Sequence, residues 1–299
     1  MQLQVTHETL YDYTPAVLLS QHIVYLTPVQ DAHQRLLQHR LLIAPSPPQV
    51  QAARDTWGNT RHHFSLAASH TSLRIVAESR VQTLPVTAPR NPITWEAARE
   101  RMRYHRDAAW DPASEFGFAS PYVPRHQDFA AYAMPSFTPQ RPLLEAARDL
   151  ASRIHRDFEY RPQATDVGTP ALQALALRQG VCQDFAHIML GCLRSLGLPA
   201  RYVSGYLLTE PPPGQPRLVG SDASHAWVSV YLPAQAPGEA GVWADLDPTN
   251  DRAPGEDYIT LAVGRDYGDV SPVRGVIHGG ASHHLRVAVT VTPAPTIPD

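Results

Sequence analysis

The sequence predicts an α+β protein, in which a small all-β unit precedes helices that pack on a second, mainly antiparallel sheet. Strand-like runs fill the first part of the chain, a helical pattern begins near residue 142, and strand-like runs return after residue 199. Helices followed by a series of strands are typical of α+β proteins. We therefore predict a β-rich unit over 1–90, an irregular and helical connection over 91–140, and a second folded unit over 141–299.

The β-rich unit is predicted from runs in which apolar and polar residues partly alternate. Examples are LQVTHETLYDY, HIVYLTPV and LRIVAESRVQT. The segment DTWGN predicts a turn, because Gly58 and Asn59 both tolerate positive φ. The connection that follows contains one short predicted helix at 95–104 and is too long for a simple linker. We expect it to wrap over the second unit.

Three helices are predicted at the start of the second unit. The first has apolar residues at steps of three and four, which gives one buried stripe: Leu143, Ala147, Leu150, Ile154 and Phe158. The second begins after Thr169, with a proline at its first position, and ends at Gly180. The third begins at Cys182 and ends before Gly197. The runs ARYVSGYLL, HAWVSVYL and VWADLD then predict the second sheet.

Composition excludes several classes of function. The chain has 299 residues, of which 43% are hydrophobic, and its formal net charge of -3 argues against a general binder of nucleic acid or anionic membranes. We find no signal peptide and no apolar run of roughly 20 residues. Cys182 and Cys192 lie ten positions apart on one predicted helix, about 15 Å along its axis, which is too far for a disulfide. Two free thiols suit a reducing cytoplasm, where we expect this protein.

Cys182 is the candidate nucleophile. It follows a glycine and opens a predicted helix, where unpaired N–H groups and the helix dipole favour a thiolate over a thiol. The same N–H groups can stabilise the oxyanion of a tetrahedral intermediate. Cys192 lies mid-helix in an apolar setting, and we interpret it as a buried structural cysteine.

Two residues downstream complete the candidate site. His225 opens the strand HAWVSVYL beside a loop that contains 220–222, so its imidazole can face a cleft and act as general base and acid. Asp247 ends the next predicted strand just before Pro248, where its carboxylate can orient the imidazole. Asp245 lies two residues earlier and is the competing candidate for that role.

The stretches GVCQDFAHIMLGCLRSLGLPARYVSGYL, DASHAWVSVYLP and VWADLDPTND closely resemble the core of the transglutaminase-like superfamily. The first 90 residues resemble the β-rich N-terminal domain of a bacterial branch of that superfamily. The resemblance implies a papain-like α+β catalytic core over 141–299, with Cys182, His225 and Asp247 as its triad. It also implies attack by a thiolate on an amide carbonyl to form a thioester.

The reaction class stays open among three alternatives. The first is hydrolysis of a peptide, isopeptide or side-chain amide bond in a peptide or protein substrate, and the second is transfer of the acyl group to an amine. The third is a peptide-binding module without catalysis, which has no need of all three triad residues.

Substrate contacts are predicted next to the triad, and no metal or other cofactor is expected. Gln183 and Asp184 follow the nucleophile, while Tyr206 and Trp227 are aromatic residues on neighbouring strands. Residues 265–267 are candidates for the rim of the cleft. His187 is a poor base, because it lies roughly 140° around the helix from Cys182. The two histidines of each adjacent pair, 62–63 and 283–284, are expected to point to opposite faces of their strand, so neither pair chelates a metal by itself.

Overall fold

The structure is a computed structural model that describes residues 1–106, 110–209, 224–236 and 239–294. Its strands are β1 (Gln2–Val24), β2 (Gln34–Ala44), β3 (Val50–Arg54), β4 (Thr60–Leu66), β5 (His70–Thr83), β6 (Glu159–Tyr160), β7 (Gln179–Gly180), β8 (Ala200–Leu207), β9 (Ser224–Leu232), β10 (Val242–Leu246), β11 (Tyr258–Gly264), β12 (Val273–Gly279) and β13 (Ser282–Pro293). Its α-helices are α1 (Trp95–Arg101), α2 (Gln127–Ala133), α3 (Leu143–Asp157), α4 (Ala171–Leu177), α5 (Cys182–Ser195) and α6 (Tyr267–Val270). The predicted α+β class, with a β-rich region before the helices, is confirmed.

The first sheet has seven strands and is organised around the long strand β1. Strands β2, β5, β1, β4 and β3 follow one another across it, and β12 and β13 both pair with β1. The first half of β1 lies between β5 and β13, with Leu3 opposite both Val81 and Pro293. Alternate residues of β1 are buried from Leu3 to Thr9, as expected of a strand with one face on a core.

The last two strands correct one part of the sequence interpretation. The sequence placed everything after residue 141 in one unit, but β12 and β13 extend the first sheet. The reason is that β1 is long enough to accept partners along both edges, and this pairing satisfies backbone groups that an edge strand would expose. The boundaries at 90 and 140 stay a prediction.

The second sheet carries the helices. It has four antiparallel strands in the order β10, β9, β8, β11, and α5 packs on one face of it. Residues 183–194 of α5 are all buried, because β8 and β9 cover one side of this helix, and α2, α3 and α4 cover the other. The central helix is therefore enclosed by other elements, and only its two end residues, Cys182 and Ser195, are partly exposed.

The connection over 91–140 packs against this second half. The amide of Leu143 donates to the carbonyl oxygen of Ile93 at 2.8 Å, which ties the two ends of the connection together. The ring of Phe129 fills the space beside Gly191, where a Cβ atom would lie 2.9 Å from the ring. The expectation that this segment wraps over the second unit agrees with these contacts. The described part of the chain contains no membrane-spanning helix.

Candidate active site

Cys182 occupies the first position of α5, and its side chain is partly exposed. Cys192 lies ten residues further along the same helix and is fully buried. Burial raises the pKa of the Cys192 thiol well above its ordinary value. The two cysteines of one helix therefore differ in access, and Cys182 is the one that a reagent or a substrate can reach.

The start of α5 is fixed by Asp184, at the third helical position. Its Oδ2 accepts hydrogen bonds from the amide of Val181 at 2.8 Å and from the hydroxyl of Thr165 at 2.7 Å. The carboxylate also approaches Gly180 so closely that a Cβ atom there would lie 2.6 Å from it. Asp184 is 2% exposed, so it caps the helix that carries the sulfur and offers no surface to a substrate.

His225 and Asp247 meet behind the sulfur. The imidazole Nε2 of His225 lies 2.7 Å from Oδ2 of Asp247, and the exposed fractions of the two side chains are 9% and 0%. The sulfur of Cys182 lies near enough to His225 to raise the pKa of its imidazole. Since Nε2 faces the carboxylate, Nδ1 is the ring nitrogen left to exchange a proton with the sulfur. The loop at 220–222, which the sequence placed beside His225, lies outside the described residues.

Asp247 is surrounded by donors. The hydroxyl of Tyr258 and the side-chain amide of Asn250 each donate to Oδ2 at 2.7 Å, and the amide of Thr249 donates to Oδ1 at 2.8 Å. These contacts fix the carboxylate and keep it ionised in a buried setting. Neither Tyr258 nor Asn250 was predicted from the sequence. The proximity of Asn250 to Asp247 in the sequence was a usable signal, whereas Tyr258 arrives from another strand.

The histidine and the carboxylate shift each other's ionisation. Burial by itself would lower the pKa of His225, but the hydrogen bonds to Asp247 and Cys182 outweigh burial and raise it from 6.5 to about 10. Burial would raise the pKa of Asp247, but the hydrogen bond from His225, supported by Asn250 and Tyr258, holds it below its usual range. Both directions favour an imidazolium next to a carboxylate.

Asp245 does not take the place of Asp247 in this arrangement. One of its oxygens accepts a hydrogen bond from the indole N–H of Trp227 at 3.1 Å, and the other accepts one from the hydroxyl of Ser229. It lies opposite Ser229 in the ladder between β10 and β9. Its carboxylate is thus committed to neutral donors in the sheet and does not contact the imidazole.

The four predicted substrate contacts fall in two groups. Tyr206 and Trp227 are 1% and 0% exposed, and the hydroxyl of Tyr206 is hydrogen-bonded to His7 Nδ1 at 2.9 Å. Together with Asp184, they serve packing and capping, which corrects the expectation that they touch a substrate. Gln183 is 9% exposed and donates to the carbonyl oxygen of Val167 at 3.3 Å, so its role stays a prediction.

Of the residues predicted at the rim, Asp266 is buried, whereas Arg265 and Tyr267 are partly exposed. Asp266 is 1% exposed, and its carboxylate accepts hydrogen bonds from the amides of Tyr122 and Gly268, both at 2.9 Å. His187 Nε2 accepts from the amide of Tyr267 at 3.2 Å, and burial lowers the pKa of His187 to about 3. His187 is therefore a neutral anchor for the loop after β11, in line with its rejection as a base.

Tyr160 is a neighbour of the nucleophile that the sequence analysis did not identify. Strand β6 pairs in parallel with β7 and sets Tyr160 opposite Gly180, two residues before Cys182. The side chain is 51% exposed, and burial together with the nearby sulfur of Cys182 raises the pKa of its hydroxyl. An exposed aromatic hydroxyl beside the sulfur is suited to contact a substrate.

Comparison with family models covers much of the chain. Residues 3–82 match the bacterial transglutaminase-like N-terminal region, and residues 130–248 match the transglutaminase-like superfamily. The second match contains Cys182, His225 and Asp247.

Similar proteins and structures agree with these matches. An uncharacterized protein of Mycobacterium tuberculosis is 42% identical over 296 residues, which is 97% of this chain and 92% of its own length. A protein-glutamine gamma-glutamyltransferase of Pseudomonas aeruginosa is 29% identical over 170 residues, which is 52% of this chain and 24% of its own length. A crystal structure from Cytophaga hutchinsonii, described as a candidate cysteine protease, superposes with a TM-score of 0.73 at 18% identity and covers 100% of this chain and 92% of that one. The last comparison shows a shared fold.

Proposed function

The chain belongs to the transglutaminase-like superfamily, and from that premise we propose that it is a cysteine-nucleophile hydrolase of peptide, isopeptide or side-chain amide bonds. In this proposal Cys182 is the nucleophile, His225 the general base and acid, and Asp247 the group that orients the imidazole. One observation supports this proposal most directly. The partly exposed thiol of Cys182 adjoins the imidazole of His225, and Nε2 of that imidazole is hydrogen-bonded to the buried carboxylate of Asp247.

The first half of the reaction forms a thioester. The sulfur of Cys182, having given its proton to His225, attacks the amide carbonyl carbon and forms a C–S bond. When the tetrahedral intermediate collapses, the C–N bond breaks and the departing amine takes the proton from the imidazolium. The negative charge on the carbonyl oxygen is stabilised by N–H groups at the start of α5, which have no partner within the helix.

The second half releases the acid. A water molecule gives a proton to His225 and attacks the thioester carbonyl, the C–S bond breaks, and the thiolate of Cys182 is regenerated. Asp247 stays ionised throughout and stabilises the imidazolium each time it forms. Its three donors, Tyr258, Asn250 and the amide of Thr249, support that role because they hold its two oxygens in place.

The proposed substrate is a peptide or protein, approached from the side of Tyr160. This side chain is exposed beside the nucleophile, whereas the residues on the inner side of α5 are buried. We also propose a reducing compartment such as the cytoplasm. A reactive, partly exposed thiol and a buried one on the same helix have no disulfide partner in the chain, and a reducing environment keeps the nucleophile usable.

Acyl transfer to an amine is the second candidate. The similarity to a protein-glutamine gamma-glutamyltransferase over 52% of this chain favours it. Both reactions share the thioester and differ only in whether water or an amine attacks it. A glutamine-containing peptide incubated with and without a labelled primary amine separates them, because a transferase incorporates the label and a hydrolase releases the acid.

Alkylation tests the proposed nucleophile directly, and Cys192 serves as the internal control. The protein is treated with iodoacetamide between pH 4 and 9, and the labelled cysteine is identified by mass spectrometry. We expect rapid labelling of the partly exposed Cys182 and slow or no labelling of the buried Cys192. Equal, slow labelling of both cysteines contradicts the proposal and favours a peptide-binding module without catalysis.

A further inference from the structure

A cavity of about 960 Å³ lies between the two sheets, on the side of the second sheet that faces away from α5. Residues 27–34 and 57–60 form the wall on the first-sheet side, and residues 242–246 form part of the opposite wall. Its lining does not include Cys182. The volume falls in the range of about 300–1,000 Å³ that is usual for small-molecule sites, which occur preferentially where two parts of a fold meet.

Arg201 is the unusual group in this cavity. Its guanidinium carbon lies 4.2 Å above the ring of Trp243, and its Nε is buried with no hydrogen-bond partner among the described residues. A buried donor without an acceptor is costly and uncommon, and the cost is greater for a charged group. Stacking on Trp243 holds the planar guanidinium in one orientation, so its donors are arranged before any ligand arrives.

Arg194, a fully buried arginine of α5, shows what full pairing of a guanidinium looks like. Arg194 is 0% exposed, and its donors reach the carbonyl oxygens of Ala200 and Arg265 and the hydroxyl of Ser120. Arg194 is therefore a structural link between α5 and the loops around it. The contrast indicates that Arg201 is built for a partner from outside the chain.

The charged side chains that line the cavity favour an anionic ligand. Arg54 and Arg148 line the cavity with Arg201, and two aspartates, Asp31 and Asp245, oppose them. Each aspartate already accepts hydrogen bonds from neutral donors. Asp31 accepts from the amides of residues 33 and 34, and Asp245 accepts from the side chains on β9. Cations thus outnumber the acids on this wall, and the acidic oxygens near Arg201 are partly satisfied.

We propose that this cavity is a binding site for an aromatic carboxylate. The carboxylate accepts hydrogen bonds from Arg201, and the ring of the ligand packs against Trp57 and Trp243, which both line the cavity. The floor includes Tyr258, whose hydroxyl holds Asp247, so the site lies at the back of the proposed triad and is separate from the cleft at Cys182. The proposal stands on the cavity and on Arg201, whatever reaction the triad performs.

The test is a binding titration of the full chain with phenylacetate and naphthylacetate and with their neutral amides. Tryptophan fluorescence and saturation-transfer NMR both report on it, because three of the five tryptophans line the cavity. We expect saturable binding of the carboxylates, at least about tenfold tighter than that of the matched amides, because a charge-assisted hydrogen bond is lost in the amide. The Cys182→Ala variant is expected to bind equally well, which separates this result from the fate of the proposed catalysis.

Arg201→Gln is expected to weaken carboxylate binding by about tenfold or more and to leave amide binding unchanged. The matched control is Arg99→Gln, because Arg99 also stacks on a tryptophan, Trp95, but lies outside the cavity. If Arg201→Gln fails to fold, Arg201→Lys keeps the charge, loses the planar fork, and is expected to show a smaller loss. The proposal is overturned if no carboxylate binds saturably, if amides bind as well as carboxylates, or if a folded Arg201 variant binds like the parent.

Discussion

The two sheets bury histidine in opposite electrostatic settings. In the second sheet, contact with Asp247 and Cys182 raises the pKa of His225 to about 10. In the first sheet, burial and the neighbouring His70 lower the pKa of His22 to about 4. Both side chains are more than nine-tenths buried, so depth alone does not explain the difference. What differs is the group beside each imidazole, which is a carboxylate for His225 and another histidine for His22.

The side chain of His22 is packed as an aromatic core residue. Its ring stacks on Phe64 with the ring centroids 5.0 Å apart, and neither ring nitrogen has a hydrogen-bond partner among the described residues. It behaves as an aromatic core residue that stays neutral. His225, by contrast, has a carboxylate on one side and a thiol on the other. Substitutions in the second sheet should therefore change activity, and substitutions of the first-sheet histidines should change only stability.

Cys182→Ala is expected to have the largest effect. Without the sulfur no thioester forms, so amide hydrolysis should fall by about 10³-fold or more while the protein stays folded. The measurement is hydrolysis of a peptide library, with circular dichroism as the check on folding. Cys192→Ala is the matched control on the same helix and should keep its activity. Equal losses in both variants would contradict the assignment.

Asp247→Asn is expected to rank second. It removes the charge that holds the imidazolium, so the pKa of His225 should fall and hydrolysis should drop by about 10²–10⁴-fold. In the parent protein the raised pKa of His225 contributes its full stabilisation below pH 6.5, as long as Asp247 is ionised, and this contribution is lost as the pH rises through about 10.

An NMR titration of His225 against hydrolysis checks this result. Asp245→Asn, which alters the competing carboxylate, should reduce activity by less than about tenfold, because Asp245 contacts Trp227 and Ser229. If the two aspartate variants lose activity equally, the choice of Asp247 as the orienting group is wrong.

Tyr258→Phe tests whether the hydrogen-bond donors around Asp247 contribute to the raised pKa of His225. It removes one hydrogen bond of 2.7 Å to the carboxylate, and we expect about a tenfold loss of the maximal hydrolysis rate together with a shifted pH profile. Tyr132→Phe is the control, because the hydroxyl of Tyr132 donates to Asp157 at 3.0 Å, away from the triad. A loss of stability without a change in pH profile would assign Tyr258 a structural role only.

His22→Leu is expected to have the smallest effect and to act on stability alone. A leucine has no unpaired nitrogen, so the free energy of unfolding at pH 7 should rise by about 1 kcal/mol. In the parent, His22 is neutral when folded. The contribution of the neutral His22 to the free energy of unfolding is therefore fully present above pH 6.5, and it is lost as the pH falls through about 4.

Urea unfolding at pH 7 and pH 4.5 measures both effects, and the variant should be less sensitive to acid than the parent. His63→Leu, at an exposed position of the same sheet, should leave this pH dependence unchanged. Loss of hydrolysis in His22→Leu would break the proposed division between the two sheets.

Much of the second half of the chain could be predicted because its signals are local. A glycine before Cys182, a strand that opens at His225 and a proline after Asp247 are each visible within a few residues. The predicted class and the start of α5 at Cys182 agree with the structure. The substrate contacts were less accessible, since Tyr206 and Trp227 lie on strands whose two faces are both covered.

The sequence by itself determined the order of elements, the candidate nucleophile at a helix start, and the two residues proposed to activate it. Only the tertiary structure brought Tyr258 to Asp247, joined β12 and β13 to β1, and left Arg201 facing a cavity. The physical reason is the distance along the chain over which each interaction acts. Periodicity and capping act over a few residues, whereas these contacts depend on which strands pair and which sheet faces meet.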